Sequence, residues 1–360
     1  MNPFQNSPDS ESSQAAQSQT APSRPLDAGL LRTVYLDLLG RPPLRAEAEE
    51  WKGKDLAQLV AALTGSLEFW QTWVDEQLYY FFLIDNFRPR SERVAEAPEA
   101  LWKKRADVRD VLHRICISSS FEQRNPGADT FVTVVMEQLL GLEVQRHSRE
   151  LEIGKLAYDG GTGLFLGQTA SSQAHVVKIA IEDKRFEKHL MGREHERLLR
   201  VRPSTRDLGK AARRVRKDPR SFLGVLREWI LSDLYVERLA LRRALPNRMF
   251  VRALFVDLLD RLPTADEAEP LREALDGLSD PGPLRSVVAR TLLDGPLAEV
   301  PSKEDVRDPK LWITECFRRT LGRDPASQEL EAFSATWAQP ACRPSTVLYA
   351  LLSSAEYAMY

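Results

Sequence analysis

The stretch Tyr35–Pro43 reads YLDLLGRPP, and near the other end of the chain Cys316–Pro325 reads CFRRTLGRDP. In both, an apolar run at helical spacing meets a glycine, an arginine and a proline. A glycine tolerates the left-handed backbone that ends a helix, and a proline just beyond it cannot continue one. The phrase therefore marks a helix C-terminus. Its return predicts that the chain is built from recurring helical units.

Related phrases fill the interval. Met136–Val144 (MEQLLGLEV), Glu194–Pro203 (EHERLLRVRP) and Val256–Pro263 (VDLLDRLP) join Cys316–Pro325 when aligned on Gly141, Arg200, Asp260 and Gly322. Successive anchors are 59, 60 and 62 residues apart. A second phrase follows each first one: a small or acidic residue, two spacers, then a large apolar residue. Its copies are Asp183–Phe186, Ser232–Tyr235, Asp294–Leu297 and Ser354–Tyr357, with steps of 49, 62 and 60. The first half adds two less regular copies. Tyr35–Pro43 is followed by Ser66–Phe69, and Leu78–Pro89 by Ser118–Phe121.

Each unit reads as a helix, a break, a short helix and a second long helix. In the first helix Phe250, Leu254, Phe255, Leu258 and Leu259 share one stripe. Beyond the break, Thr264 with Glu267 three residues later forms a capping-box pattern. In the second helix Phe222, Leu223, Leu226, Trp229 and Ile230 line one face, and Ser232 or Ser354 is placed to cap the next helix. No alternating strand pattern stands out. Because one unit cannot hide both faces of its helices, neighbours must stack.

The composition admits a sizeable core and excludes several classes of function. Of 360 residues, 43% are hydrophobic, and 50 basic residues nearly balance 52 acidic ones. That balance predicts no general attraction to nucleic acid or to anionic membranes. Cys116, Cys316 and Cys342 are widely spaced, with no CxxC or CxxCH, so a disulfide framework, a zinc knuckle and haem attachment are not expected. Residues 1–25 are rich in Ser, Gln and Pro and are expected to be disordered. They lack the pattern of a secretory signal, and no run suits a membrane span.

The last unit, TECFRRTLGRDPASQELEAF with LYALLSSAEYAMY, resembles a bacterial helical-repeat family of unknown function with an LGRxP…SxEY pattern. It is also similar to the linker domain of phycobilisome linker polypeptides, whose units close much as SFLGVLREWILSDLYVERL does. The first unit, LLRTVYLDLLGRPPLRAEAEEW, resembles the start of a planctomycete family of unknown function often joined to cytochrome-like haem domains. These resemblances imply helical scaffolding and supply no catalytic residues.

Candidate chemistry is sparse. The densest histidine region, EKHLMGREHER, holds His189, Glu194 and His195. The histidines are six apart and diverge around a helix, so a solvated charged face is expected rather than a metal site. The glycine-rich Tyr158–Gly167 (YDGGTGLFLG) lacks the preceding strand and the GK[ST] of a phosphate cradle. A ligand loop there would use Asp159 and Thr162, and an enzyme would use Tyr158, Asp159 and a nearby histidine. Lys210, Arg213, Arg214, Arg216, Lys217 and Arg220 concentrate charge in one segment. That segment suits an acidic protein, and less well nucleic acid, since no aromatics interleave for base stacking. Phe69–Phe87 is apolar nearly all round, so Trp70, Trp73 and Tyr79 are candidates for a partner surface. Asp257 and Asp260 are expected to close a helix rather than perform acid–base work.

The expectation is an all-α chain of about six tandem helix–break–helix units, stacked into one array or two helical lobes. The expected parts are a tail over 1–25, N-terminal units over 26–125, central repeats over 126–300 and a last repeat over 301–360. The expected role is a non-enzymatic, cytoplasmic scaffold or adaptor that binds protein partners, without metal, haem or other cofactor.

Overall fold

The breaks read from the sequence share one backbone conformation. In the computed structural model, which describes residues 24–84 and 87–360, Gly40, Gly141, Arg200, Asp260 and Gly322 all have φ between 49° and 70°. The irregular copy turns at Leu83, with φ 53°. Each of these six backbone N–H groups reaches back four residues, as from Gly40 to the Leu36 carbonyl and from Gly322 to that of Arg318. That single bond is the left-handed C-cap. The tail expected at 1–25 falls almost wholly outside the described residues.

The helices that frame the candidate sites are α1 (Ala28–Leu39), α2 (Leu67–Phe82) and α3 (Gly127–Val134), which runs into a π-helical turn over Val135–Leu139. They continue with α4 (Lys184–Leu199), α5 (Thr205–Lys217), α6 (Asn247–Leu259) and α7 (Pro309–Leu321). Shorter helices fill the intervals and the chain is all-α. Among the described residues no helix is long and apolar enough to cross a membrane.

One local departure is a small antiparallel hairpin, β1 (Gly163–Phe165) and β2 (Gln168–Ala170). Its strands are three residues long, too short for an alternating pattern to register. Leu166 and Gly167 supply the two positive φ angles that a tight hairpin turn needs. The glycine-rich stretch thus positions a core residue: Phe165 is fully buried, and Tyr158 packs against Phe131 with ring centroids 5.2 Å apart. Asp159 and Thr162 lie exposed.

The second phrase works as a staple. Ser66, Ser118 and Ser354 each donate from Oγ to a carbonyl three residues back and accept from the N–H three residues on. Ser232 makes only the backward bond, to Trp229. The closing ring drops into the core each time, at Phe69, Phe121, Phe186, Tyr235 and Tyr357. Leu297 is the exception and lies exposed. Arginines after the caps clamp the next helix. Arg41, Arg261 and Arg323 each grip a glutamate six residues on (Glu47, Glu267, Glu329) through paired hydrogen bonds of 2.6–2.8 Å. Arg41 and Arg323 also hold Glu68 and Glu356, the acids of the staple.

Apolar side chains gather in two clusters. One takes residues from Leu30 to Tyr235 and includes α1–α5; the other takes Leu245 to Tyr357 with α6 and α7, plus Leu36 of α1. Helix α1 therefore serves both. At the junction a Cβ on Gly29 would stand 2.8 Å from the Gly322 carbonyl oxygen, so backbone meets backbone. Arg32 crosses from α1 to Asp257 of α6 with two bonds of 2.8 and 3.0 Å. Asp257 also accepts from the Tyr357 hydroxyl at 2.9 Å. It is a buried long-range node, and only Asp260 closes the helix. A matching node holds Asp37 with Tyr235 and Arg238.

Candidate functional site: a basic helix leading to an aromatic pocket

The six basic residues of the charged stretch are all exposed, because Ala211, Ala212 and Val215 take the buried side of α5. They divide by what they already hold. Arg214 pairs with Glu228 at 2.6 Å across the Phe222–Ile230 helix. Lys210 lies 3.9 Å from Asp207. Arg216 reaches the buried carboxylate of Glu187 at 3.4 Å and the Glu182 carbonyl at 3.1 Å. Desolvation raises the Glu187 pKa, and Arg109 and then Arg216 oppose that rise. Arg216 is therefore part of the fold's internal electrostatics. Arg213, Lys217 and Arg220 have no carboxylate within salt-bridge distance among the described residues.

The C-terminal end of α5 is tied to a neighbouring helix, where Arg109 donates to the Arg216 carbonyl at 2.8 Å. Immediately beyond, the turn Pro219–Ser221 brings Arg220 to the rim of a cavity of about 450 Å³. Its floor is aromatic and aliphatic: Trp70, Phe222, Leu223, Leu101 and Trp102. Trp70 and Phe222 stack at 6.4 Å. Trp102 remains 43% exposed while its indole N–H donates to the Gly65 carbonyl at 3.1 Å, which fixes the ring at the mouth. Lys104 lines the wall from a left-handed backbone, φ 56°. Asp107 is occupied capping the Val108–Cys116 helix, accepting from the N–H groups of Arg109 and Asp110. Lys104, Arg220 and Arg227 thus leave the cavity with an excess of positive charge.

The aromatic candidates separate. Trp73 is 1% exposed, and its indole donates to Glu194 inside the core at 3.1 Å, so it offers nothing to a partner. Trp70 is also buried, and it lines the cavity it shares with Arg220. The reason is that the neighbouring Phe222 helix covers this side of α2. Tyr79 alone stays open, in a different groove.

The histidine cluster is not a solvated face. Glu194 and His195 are buried; Glu194 holds Arg197 and Trp73, and His195 Nδ1 lies 3.0 Å from the Val201 carbonyl with its ring edge-on to Trp229. His189 sits under the cap at Gly141 and 3.3 Å from the Tyr80 hydroxyl. Helix α4 is central, and its buried carboxylates, Glu187 and Glu194, are paired with arginines. Trp102 and Lys104 are not among the residues that the sequence reading singles out, although ALWKKR carries a local signal, an aromatic followed by three cations.

Comparison with protein-family models, with curated proteins and with solved structures gives no match for this chain.

Proposed function

We propose that this chain is a non-enzymatic helical-repeat scaffold that docks an acidic protein segment. The segment lies along α5 and inserts an apolar side chain beside Trp102. The observation that carries the reading is the continuity of Arg213, Lys217 and Arg220, which have no carboxylate partner among the described residues, with an aromatic cavity at the end of their helix. Charge supplies steering and register, and a half-exposed tryptophan at a cavity mouth is the side chain on which binding energy concentrates. The tandem-unit reading is supported by the six left-handed caps and by the arginine clamps at 41, 261 and 323.

The test is selection of peptides from an unbiased displayed library on the purified chain. The expected peptides carry at least two acidic residues near a Leu, Phe or Trp. Either W102A or the triple reversal R213E/K217E/R220E should then weaken a selected peptide by about tenfold or more. Arg216 stays out of the triple variant, since reversing it would set a second negative charge against Glu187. Peptides without acidic excess, or equal affinity for the triple variant, would contradict the proposal. So would preferential capture of single-stranded nucleic acid by the same face.

A further inference from the structure

A second concavity, of about 790 Å³, lies where α2, α4 and the segment joining the two apolar clusters meet. Five arginines and three carboxylates line it, and a shallower extension past Arg200 and Arg242 adds two more arginines and Glu196. The acids of the main groove are already engaged. Glu194 pairs with Arg197 at 2.9 Å, and Glu76 with Arg197 and Arg248 at 3.6 and 3.3 Å. Asp276 accepts from Asn247 at 2.7 Å and lies 3.5 Å from Arg272.

Arg193 and Arg243 are left without a carboxylate among the described residues. Arg193 lies over the Tyr80 ring at 3.6 Å and donates from Nη2 to the neutral Gln77 amide oxygen. Its Nε and Nη1 are buried and meet no acceptor among the described residues. Buried donors of this kind are costly to leave unmet. Its charge is also felt nearby: burial first, and then Arg193, push His189 down to about 4. Arg243 is exposed, and among the described residues its side chain makes only a long 3.4 Å hydrogen bond to the Arg197 carbonyl. The backbone beneath it is pinned by reciprocal 2.8 Å bonds to Tyr360, so the guanidinium projects from a fixed base.

We infer that this groove binds a compact polyanion carrying phosphate or carboxylate oxygens, gripped between Arg193 and Arg243. Planar guanidinium forks match the oxygens of both groups. The groove has the volume of a small-molecule site and is too polar to be an apolar pocket. It is distinct from the Trp102 cavity, so its occupancy does not depend on the peptide site.

Calorimetric titration of the full chain with inorganic pyrophosphate and, separately, with citrate tests this. One site is expected for at least one of the two anions, and which of them binds more tightly names the oxygen chemistry. R243A should weaken that binding about tenfold, and R193Q at least as much. R307A, a change to an exposed arginine outside the groove, should leave it unaltered. Arg243 is exposed and its backbone bonds survive truncation, so R243A keeps the test valid if R193Q does not fold. No heat with either anion at millimolar concentration, or equal losses for R243A and R307A, would overturn the inference.

Discussion

At the scale of single residues, position in the packing decides the role of each charge. Glu187, Glu194, Asp37 and Asp257 are all buried, and each is held by arginine. Removing one partner from such a pair leaves an uncompensated charge, which costs far more than the pair contributes. Histidine titration reports on the same interior. His113, His189 and His195 are all held below the ordinary histidine range, in each case chiefly by burial. For His189 the folded value is about 4 against the ordinary 6.5. The unfolded chain therefore binds the proton first, and stability present above about pH 6.5 is lost as pH falls towards 4. Urea unfolding across that window should show this loss, and H189Q should make it shallower. An unchanged slope in H189Q would place His189 in water. The sequence could not say this, because six-residue spacing along EKHLMGREHER describes a helix face without saying which helices will cover it. The inward roles of Trp73 and Asp257 are hidden for the same reason: their partners, Glu194 and Arg32, are 121 and 225 residues away.

At the scale of elements, much is legible, because a helix end leaves a local chemical signature. Gly40, Asp260 and Gly322 are readable from residue type followed by arginine and proline. Arg200 is placed only by counting from its neighbours, since an arginine does not advertise a left-handed turn. The hairpin escapes because its period has too few residues to show. The caps differ in what surrounds them, which gives a sharp comparison. A Cβ on Gly40 would have its nearest neighbour, the end of the Arg252 side chain, at 3.4 Å; on Gly322 it would meet the Gly29 backbone at 2.9 Å. G40A should cost about 1–2 kcal/mol, the usual cost of a side chain in left-handed backbone. G322A should cost distinctly more, because neither backbone can move aside. Chemical denaturation of the two variants checks this, and equal costs would mean that α1 and α7 do not meet at those glycines.

At the scale of the molecule, the chain is a helical frame in which one helix, α1, is shared by two apolar clusters. The passage between them, near residues 241–245, carries no shift in composition, whereas the polar stretches at 88–100 and 299–310 do. Yet residues 92–100 fold into short helices that bury Val94 and Ala97 in the first cluster, so polar composition does not by itself place a boundary; which helices choose each other does. The basic stretch is legible as a patch, but its division into structural and available cations, and its junction with the Trp102 cavity, need the fold. Both proposed sites lie on this frame without requiring it to change shape. The most direct test is amide hydrogen exchange of the full chain with and without a selected acidic peptide. Added protection is expected only at residues 101–109 and 205–227, with exchange at the six helix caps unaltered. Protection elsewhere with none on α5, or loss of protection at the caps, would contradict docking along that helix.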